Sequence, residues 1–550
     1  MSDSPTLPQA VSSAPMMLPP TRRLYLALTL LALLIIAGFA GVWLALGPGS
    51  APFLYAVASG LVAFQVASWL SRWLLLSRMR RPIHVAPEPG LRVAVVTTFV
   101  PGREPIQMLE QVVRSLVALE YEHDTWVLDE GDDPDVGLLC ARLGARHFSR
   151  RGGSTDDPRL APETKYGNYN AWLDRHGAAY DVLAAFDPDH VAEPGYLVRA
   201  LGHLRDPQVG YVQAPQAYYN QRVSFIARGA AEESYAFYAT HQPASYGLGH
   251  PIIVGCHNVH RMKALCAVGG FAPHDADDLL LTLRYRSQGW RGVYVPELLA
   301  FGITPVDWHG YLRQQVRWSR SVVDLKLGGL RQLGRTLPRV ERWLSALHGL
   351  FYLRSFTVPL WYLVLAGSLL AGRAPTALGL SGLLALMVTA AGLRAIGSFR
   401  LRFALDPRTE GGLHWRAGVL QLAKWPFQCL AIVRGLVGSQ APYALTYKVH
   451  PIRGGWPTLW PHGLVALLMA VVLGVARAWH GHQSLLLEVA GAAVILASIT
   501  LIVTESQRRL VPAWEAGVYL DRRRELDGLL GPARWPSVDR RRIPRPASAR

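Results

Sequence analysis

An α/β domain with a mostly parallel sheet, inserted in a multi-span α-helical membrane protein, is the fold class this chain predicts. Three observations carry that expectation. Six long, nearly uncharged apolar stretches lie outside residues 78–342. Within that block, β-branched apolar runs alternate with segments of helical periodicity. Acidic clusters stand where such runs end or where a helix-like run opens, in the order Asp129, Asp187-Pro188-Asp189, Asp277-Asp278. An open α/β sheet presents its ligand edge at the carboxyl ends of its strands, so the clusters and the alternation agree.

Tyr25 to Leu46 and Pro52 to Leu76 are each long enough to cross a bilayer as a helix. Four further candidates are Trp343 to Leu370, Thr376 to Ile396, Leu459 to Val475 and Ser484 to Val503. The third carries His348 and Arg354, so it should face other protein along part of its length. Arg22, Arg23, Arg72, Arg78, Arg80, Arg81, Arg508 and Arg509 stand at span ends. By the positive-inside rule the N-terminus, the block 78–342 and the C-terminal tail lie inside, and the short Gly47 to Ala51 loop outside. The same placement explains the excess of 56 Lys and Arg over 39 Asp and Glu without a nucleic-acid partner. A multi-pass protein of the inner (plasma) membrane, its soluble block cytoplasmic, is the expected setting. Cys140, Cys256, Cys266 and Cys429 form no close pair, which fits a reduced compartment.

The expected organisation is a Pro- and Ser-rich disordered tail over 1–22, two spans over 23–77, and the soluble domain over 78–342. Two spans over 343–397 follow, then 398–457, two more spans over 458–505 and a basic tail over 506–550. In the domain, Val93 to Thr98, Thr125 to Leu128, Asp181 to Phe186 and Val209 to Gln213 read as strands. Ile106 to Leu119 reads as a helix, and Arg150 to Glu163, rich in Gly, Asp and Pro, as a loop. From Arg400 to Leu445, Trp415, Leu420, Leu422, Trp425, Phe427 and Leu430 alternate with Arg and Lys, the pattern of an interfacial amphipathic helix followed by a loop.

Asp187 and Asp189, one residue apart after the run Leu183 to Phe186, can offer oxygens to a hard divalent cation, Mg2+ or Mn2+, which bridges diphosphate oxygens. His190 reads as a packing or supporting residue. Asp129 ends its strand and can accept hydrogen bonds from a base or ribose, or simply form the turn with Gly131. Lys165 is either a phosphate partner or a solvated lysine. Asp277 and Asp278 open a helical run, where the dipole alone favours acids, yet a carboxylate is also what deprotonates an attacking hydroxyl. Gln314, Arg317 and Trp318 recur at helical spacing and share one face, suited either to a sugar or to anchoring at a membrane interface.

Taken in order, these motifs resemble the processive membrane glycosyltransferases of family 2, which include cellulose, chitin and hyaluronan synthases. The family's D, D-x-D, T-E-D and Q-x-x-R-W are matched by Asp129, Asp187 with Asp189, Asp278, and Gln314 with Arg317 and Trp318. Lys165-Tyr166-Gly167-Asn168 matches K-x-G-N, and Gln213-Ala214-Pro215-Gln216 matches Q-T-P-x. Tyr443 to Lys448 resembles the F-x-V-T-x-K gating loop. Thr97-Thr98-Phe99 through Glu104 departs from P-T-Y-N-E, Asp129-Glu130-Gly131 from D-D-G, and Ala276-Asp277-Asp278 from T-E-D.

The resemblance implies a GT-A-like, Rossmann-type domain that adds a hexose from a UDP-sugar, UDP-glucose favoured, to a growing β-linked polysaccharide with inversion. It implies Asp278 as base and Asp187 and Asp189 as metal ligands. Thr98, Glu104, Asp129, Lys165, Thr446 and Lys448 join them at the donor, while Gln314, Arg317 and Trp318 hold the acceptor. Export through the spans, with accessory export subunits as further partners, belongs to the same expectation. The rival readings are single-sugar transfer to a lipid carrier and an inactive transporter or scaffold.

Overall fold

The computed structural model describes residues 12–150, 157–376, 380–438, 456–482 and 484–506. The gating-loop residues Thr446 and Lys448 and the tail beyond Ser506 lie outside them.

The domain is built on seven strands: β1 Val93–Phe99, β2 Asp124–Asp129, β3 Arg146–Ser149, β4 Val182–Phe186, β5 Val209–Gln213, β6 Asn258–Arg261 and β7 Arg291–Tyr294. Across the sheet they run β7-β5-β6-β4-β1-β2-β3. All pairs are parallel except those of β6, which runs antiparallel to β4 and β5. The expected strands are present within a residue or so of their expected bounds. β3, β6 and β7 escaped the sequence reading because each is four residues long and carries Arg, with His or Asn in two of them, which masks the apolar pattern.

Both faces of the sheet are covered. Val93, Val95, Val182 and Ala184 pack on one side with Val112, Leu116 and Leu197. Ala94, Val96, Leu183 and Ala185 pack on the other with Tyr169, Trp172 and Tyr285. Helix Ile106–Val117 buries Met108, Leu109, Val112, Val113 and Leu116, the i, i+4, i+8 stripe its periodicity promised. Register decides where the chemistry falls. Phe99 pairs with Asp129, and Thr97 with Phe186, so β1, β2 and β4 end together and Asp129 and Asp187 emerge at one edge. Because β6 is antiparallel, with Asn258 opposite Ala185 and Gln213, the residues just before it reach that same edge.

Among the described residues, six helices are long and apolar enough to cross a membrane. Three expectations about them need correction. The stretch from Ser13 is no disordered tail: Ser13–Pro15 pairs with Arg80–Pro82, and Met16 and Met17 are buried with Tyr235, Tyr238 and Leu405. Burial of the two methionines supplies what composition did not predict, and the first helix already starts at Pro19. The third span does not run unbroken from Trp343. Helix Arg339–Leu347 stops at His348, Gly349 takes a left-handed φ of 80°, and the long helix begins at Arg354. Glu341 of the first piece pairs with Arg286 in the domain, which ties that piece to the soluble block. The fifth helix is longer than the expected Leu459 to Val475, running from Trp456 to His480 with Pro461 inside it.

The segment expected to form one interfacial helix is two helices, Trp415–Ala423 and Trp425–Leu436. They break at Lys424, whose buried ammonium donates to Glu233 Oε1 and Oε2 at 3.0 and 3.1 Å and to Gln315 Oε1 at 3.0 Å. Glu233 also accepts from Tyr311 at 2.7 Å. This buried knot fastens the segment to the domain.

One close approach fixes the segment that leads into the domain. A Cβ on Gly202 would lie 1.7 Å from the Val85 carbonyl oxygen, a backbone atom that cannot step aside. Gly202→Ala should therefore destabilise the folded protein by about 3 kcal/mol or more, at the upper end of overpacking penalties, read as a lowered thermal midpoint.

Candidate active site

Each strand end hands its carboxylate to a different partner. Asp187 follows β4, and its Oδ1 accepts from the Lys165 ammonium, which also donates to the Gly255 carbonyl. Lys165 opens helix Lys165–His176, capped by the Thr164 hydroxyl, which accepts from Gly167 N at 3.2 Å. The helix is held to the sheet by Tyr169, whose hydroxyl donates to Phe186 O at 3.0 Å, and by Asn168, which donates to Leu128 O at 3.1 Å. Burial alone would lower the Lys165 pKa, but Asp187, Tyr169 and Asp277 together outweigh it and hold the ammonium well above its ordinary value.

Gly255 is the hinge between the two acidic clusters. Its carbonyl accepts from Lys165, while its N–H donates to Asp278 Oδ2 at 3.0 Å. Asp278 Oδ1 accepts from Leu279 N at 2.7 Å, and Asp277 Oδ1 accepts from Asp278 N at 3.0 Å. Gln213 positions the Gly255 segment, accepting from Val254 N at 2.8 Å and donating to Cys256 O at 3.2 Å. The chain Asp187, Lys165, Gly255, Asp278 thus joins the D-x-D turn to the helix that bears the acid pair.

Burial raises the pKa of both acids. For Asp277 the neighbouring Asp278 charge adds to it, while Lys165 and Arg317 oppose. For Asp278, two backbone N–H donors as well as Lys165 and Arg317 favour the ionised form. When the pair carries one negative charge, Asp278 is the better place for it.

Helix Trp308–Leu327 brings the Q-x-x-R-W residues to the acids. Asp307 caps it, accepting from Gly310 N at 2.7 Å. His274 is 3.0 Å from Asp324, and Arg320 pairs with Asp275, so the loop leading into Asp277 is strapped to this helix. Arg317 reaches the field of both carboxylates. Trp318 is 37% exposed. The neighbouring Gln315, not Gln314, is the glutamine buried on Lys424. The sequence offered no means of telling the two apart, because burial of Gln315 depends on a residue more than a hundred positions away.

Asp189 is buried and 3.1 Å from His190 Nδ1, and one ligand atom each from Asp187, Asp189 and His190 falls within 4.8 Å of the others. That makes His190 a candidate ligand beside the supporting role expected of it, since its Nδ1 meets Asp189. Asp129 is fully buried and directed elsewhere. Its Oδ1 accepts from Gly131 N at 2.9 Å, and its Oδ2 accepts from Asp133 N at 2.5 Å and meets His147 Nε2 at 3.1 Å. Its first task is to build the turn. Glu104 likewise accepts from Val100 N at 3.0 Å and shapes its own loop, and Thr98 is buried in β1.

Residues 183–395 match the family model described as Glycosyl transferase family group 2. The "Cellulose synthase catalytic subunit [UDP-forming]" of Xanthomonas axonopodis pv. citri (strain 306) is 25% identical over 285 residues, covering 50% of this chain and 38% of that protein. "Cellulose synthase 2" of Novacetimonas hansenii is 25% identical over 343 residues, covering 58% of this chain and 21% of that one. The chain thus spans well under half the length of these curated relatives. Among solved structures, a mannosyltransferase from Pyrobaculum calidifontis in complex with GDP-Man and Mn2+ aligns with a TM-score of 0.47 at 18% identity, covering 70% of this chain and 100% of that one. The match of the family model over residues 183–395, the similarity to cellulose synthases and a mostly parallel sheet whose carboxyl edge gathers the matching acids liken this chain to the cellulose-synthase-like glycosyltransferases of family 2.

Proposed function

We propose that this protein adds a hexose from a UDP-sugar, UDP-glucose first among candidates, to the end of a growing β-linked polysaccharide, with inversion and export through its spans. The observation that carries the reading is the bridge from Asp187 through Lys165 and Gly255 to Asp278, with Arg317 facing the acid pair. It sets a diphosphate-side cluster beside a carboxylate held ready as a base. The similarity to cellulose synthases named as UDP-forming supports the choice of donor.

In this reading Asp278 takes the proton of the attacking hydroxyl, its position fixed by the Gly255 and Leu279 N–H groups. Lys165 faces the diphosphate side, where its charge suits the leaving nucleotide. Asp187, Asp189 and His190 offer two carboxylates and an imidazole, a donor set that fits Mg2+ or Mn2+. When bound there, such an ion would supply charge neutralisation at the diphosphate. Trp318 offers an aromatic face to the terminal sugar, and Arg317 its hydroxyls. Asp129, with Thr98 and Glu104, builds the wall for the base and ribose.

Trp318→Ala tests the reading. With membranes given a panel of UDP-sugars, wild type should release UDP and yield a polymer of one linkage. Trp318→Ala should lose polymer while keeping slow UDP release. Polymer of normal length from Trp318→Ala would move the acceptor site elsewhere, and a single-sugar lipid product from wild type would favour the lipid-carrier reading. A reporter fused after Leu76 should give a cytoplasmic signal, and a periplasmic one would overturn the proposed orientation.

A further inference from the structure

Directly behind the Asp187 and Asp189 turn lies a second donor cluster. One ligand atom each from His190, Cys256 and His257 falls within 4.8 Å of the others. The three side chains are 1%, 3% and 0% exposed. His257 has a left-handed φ of 28°, a conformation that a side-chain-bearing residue rarely keeps without a reason. Its Nε2–H donates to Pro215 O at 2.9 Å. That hydrogen bond fixes the tautomer and leaves Nδ1 a bare lone pair, buried and without a hydrogen-bond partner. An imidazole that gives one N–H to a backbone carbonyl and turns its other nitrogen inward has the arrangement of a metal ligand.

His190 is prepared in a similar way. Gln216 Oε1 accepts from Tyr238 at 2.9 Å, which turns the Gln216 amide toward His190 Nε2 at 3.2 Å. The amide donates there, so Nδ1 carries the proton and faces Asp189 Oδ1 at 3.1 Å. A cation taking Nε2 displaces one neutral hydrogen bond. A thiol and two imidazoles form a soft to borderline donor set, unlike the oxygen-rich pair at Asp187 and Asp189.

We propose that His190, Cys256 and His257 form a second cation site, selective for thiophilic divalent ions of the Zn2+ type. Binding releases the Cys256 thiol proton and leaves a thiolate on the ion. Because His190 belongs to both clusters, the soft site and the hard site share a ligand, and filling one disturbs the other.

Co2+ is the probe, added to the detergent-purified full chain with Mg2+ in large excess. Wild type should bind one Co2+ per chain and develop a thiolate-to-cobalt charge-transfer band that Zn2+ abolishes. Cys256→Ser should lose the band. His257→Gly removes a ligand while suiting the positive φ, and because it also opens a cavity and frees the Pro215 carbonyl, its Co2+ affinity is compared once its circular dichroism and thermal midpoint show a folded chain. It should weaken Co2+ binding by more than the roughly 10–100-fold that losing an outer-shell partner costs. No charge-transfer band in wild type, or equal Co2+ affinity in wild type and His257→Gly, would overturn the site.

Discussion

Asp278→Asn should lower sugar transfer by about 10²–10⁴-fold while donor affinity stays within a few-fold of wild type, as expected for a base that acts only in the transition state. The geometry sharpens the expectation. Both Asp278 oxygens already accept backbone N–H groups, from Gly255 and Leu279. An asparagine must turn its NH2 toward one of those donors, so the change removes the base and strains its mounting together. Asp277→Asn is the internal control, and the two single variants are compared at saturating donor and acceptor. If Asp277→Asn costs more than Asp278→Asn, the roles of the pair exchange. The pH profile gives a second reading. Burial raises both carboxyls, and the base works only when ionised, so activity should be full at higher pH. It should fall about tenfold per unit as pH drops through the raised value, in a range where an ordinary carboxylate stays charged. A profile flat down to about pH 5 would remove this buried pair from the proton transfer.

The order of the clusters was legible in the sequence because each stands where a periodic pattern ends, and strand ends are where an α/β sheet collects ligands. Register turned that order into a place: Asp129 and Asp187 share an edge because β1, β2 and β4 stop together. What the sequence could not convey was direction. Asp129 sits where expected yet turns inward to Gly131, Asp133 and His147, since a carboxylate next to a Gly-containing turn finds backbone donors nearer than any ligand. The antiparallel β6 was equally hidden. Asn258-Val259-His260-Arg261 has one apolar residue in four, and only its pairing with β4 and β5 delivers Gly255, Cys256 and His257 to the site. Breaks in helices were missed for a related reason. Lys424 interrupts the interfacial segment to reach Glu233, a contact across 191 positions of sequence.

Excess EDTA should abolish transfer, added Mg2+ or Mn2+ should restore it, and Asp189→Ala should lose about as much as chelation and resist rescue by either ion. Asp189 is the better probe of the two D-x-D acids because it is buried beside His190, where a substitution removes a donor that nothing else can replace. Asp187 is a divided residue, since its Oδ1 is held by Lys165. An arriving cation must share that carboxylate with the ammonium or push it toward the diphosphate, and the second outcome would charge the donor pocket as the ion loads. Lys165→Met separates these possibilities. If the ammonium competes, the variant should bind Mn2+ more tightly than wild type in a direct titration, yet capture the UDP-sugar less well because a phosphate partner is gone. Weaker Mn2+ binding by Lys165→Met would mean that the lysine positions Asp187 for the ion. Undiminished turnover in excess EDTA would carry a sharper message: the Lys165 ammonium, already seated on the D-x-D turn, would then be the cation that meets the diphosphate.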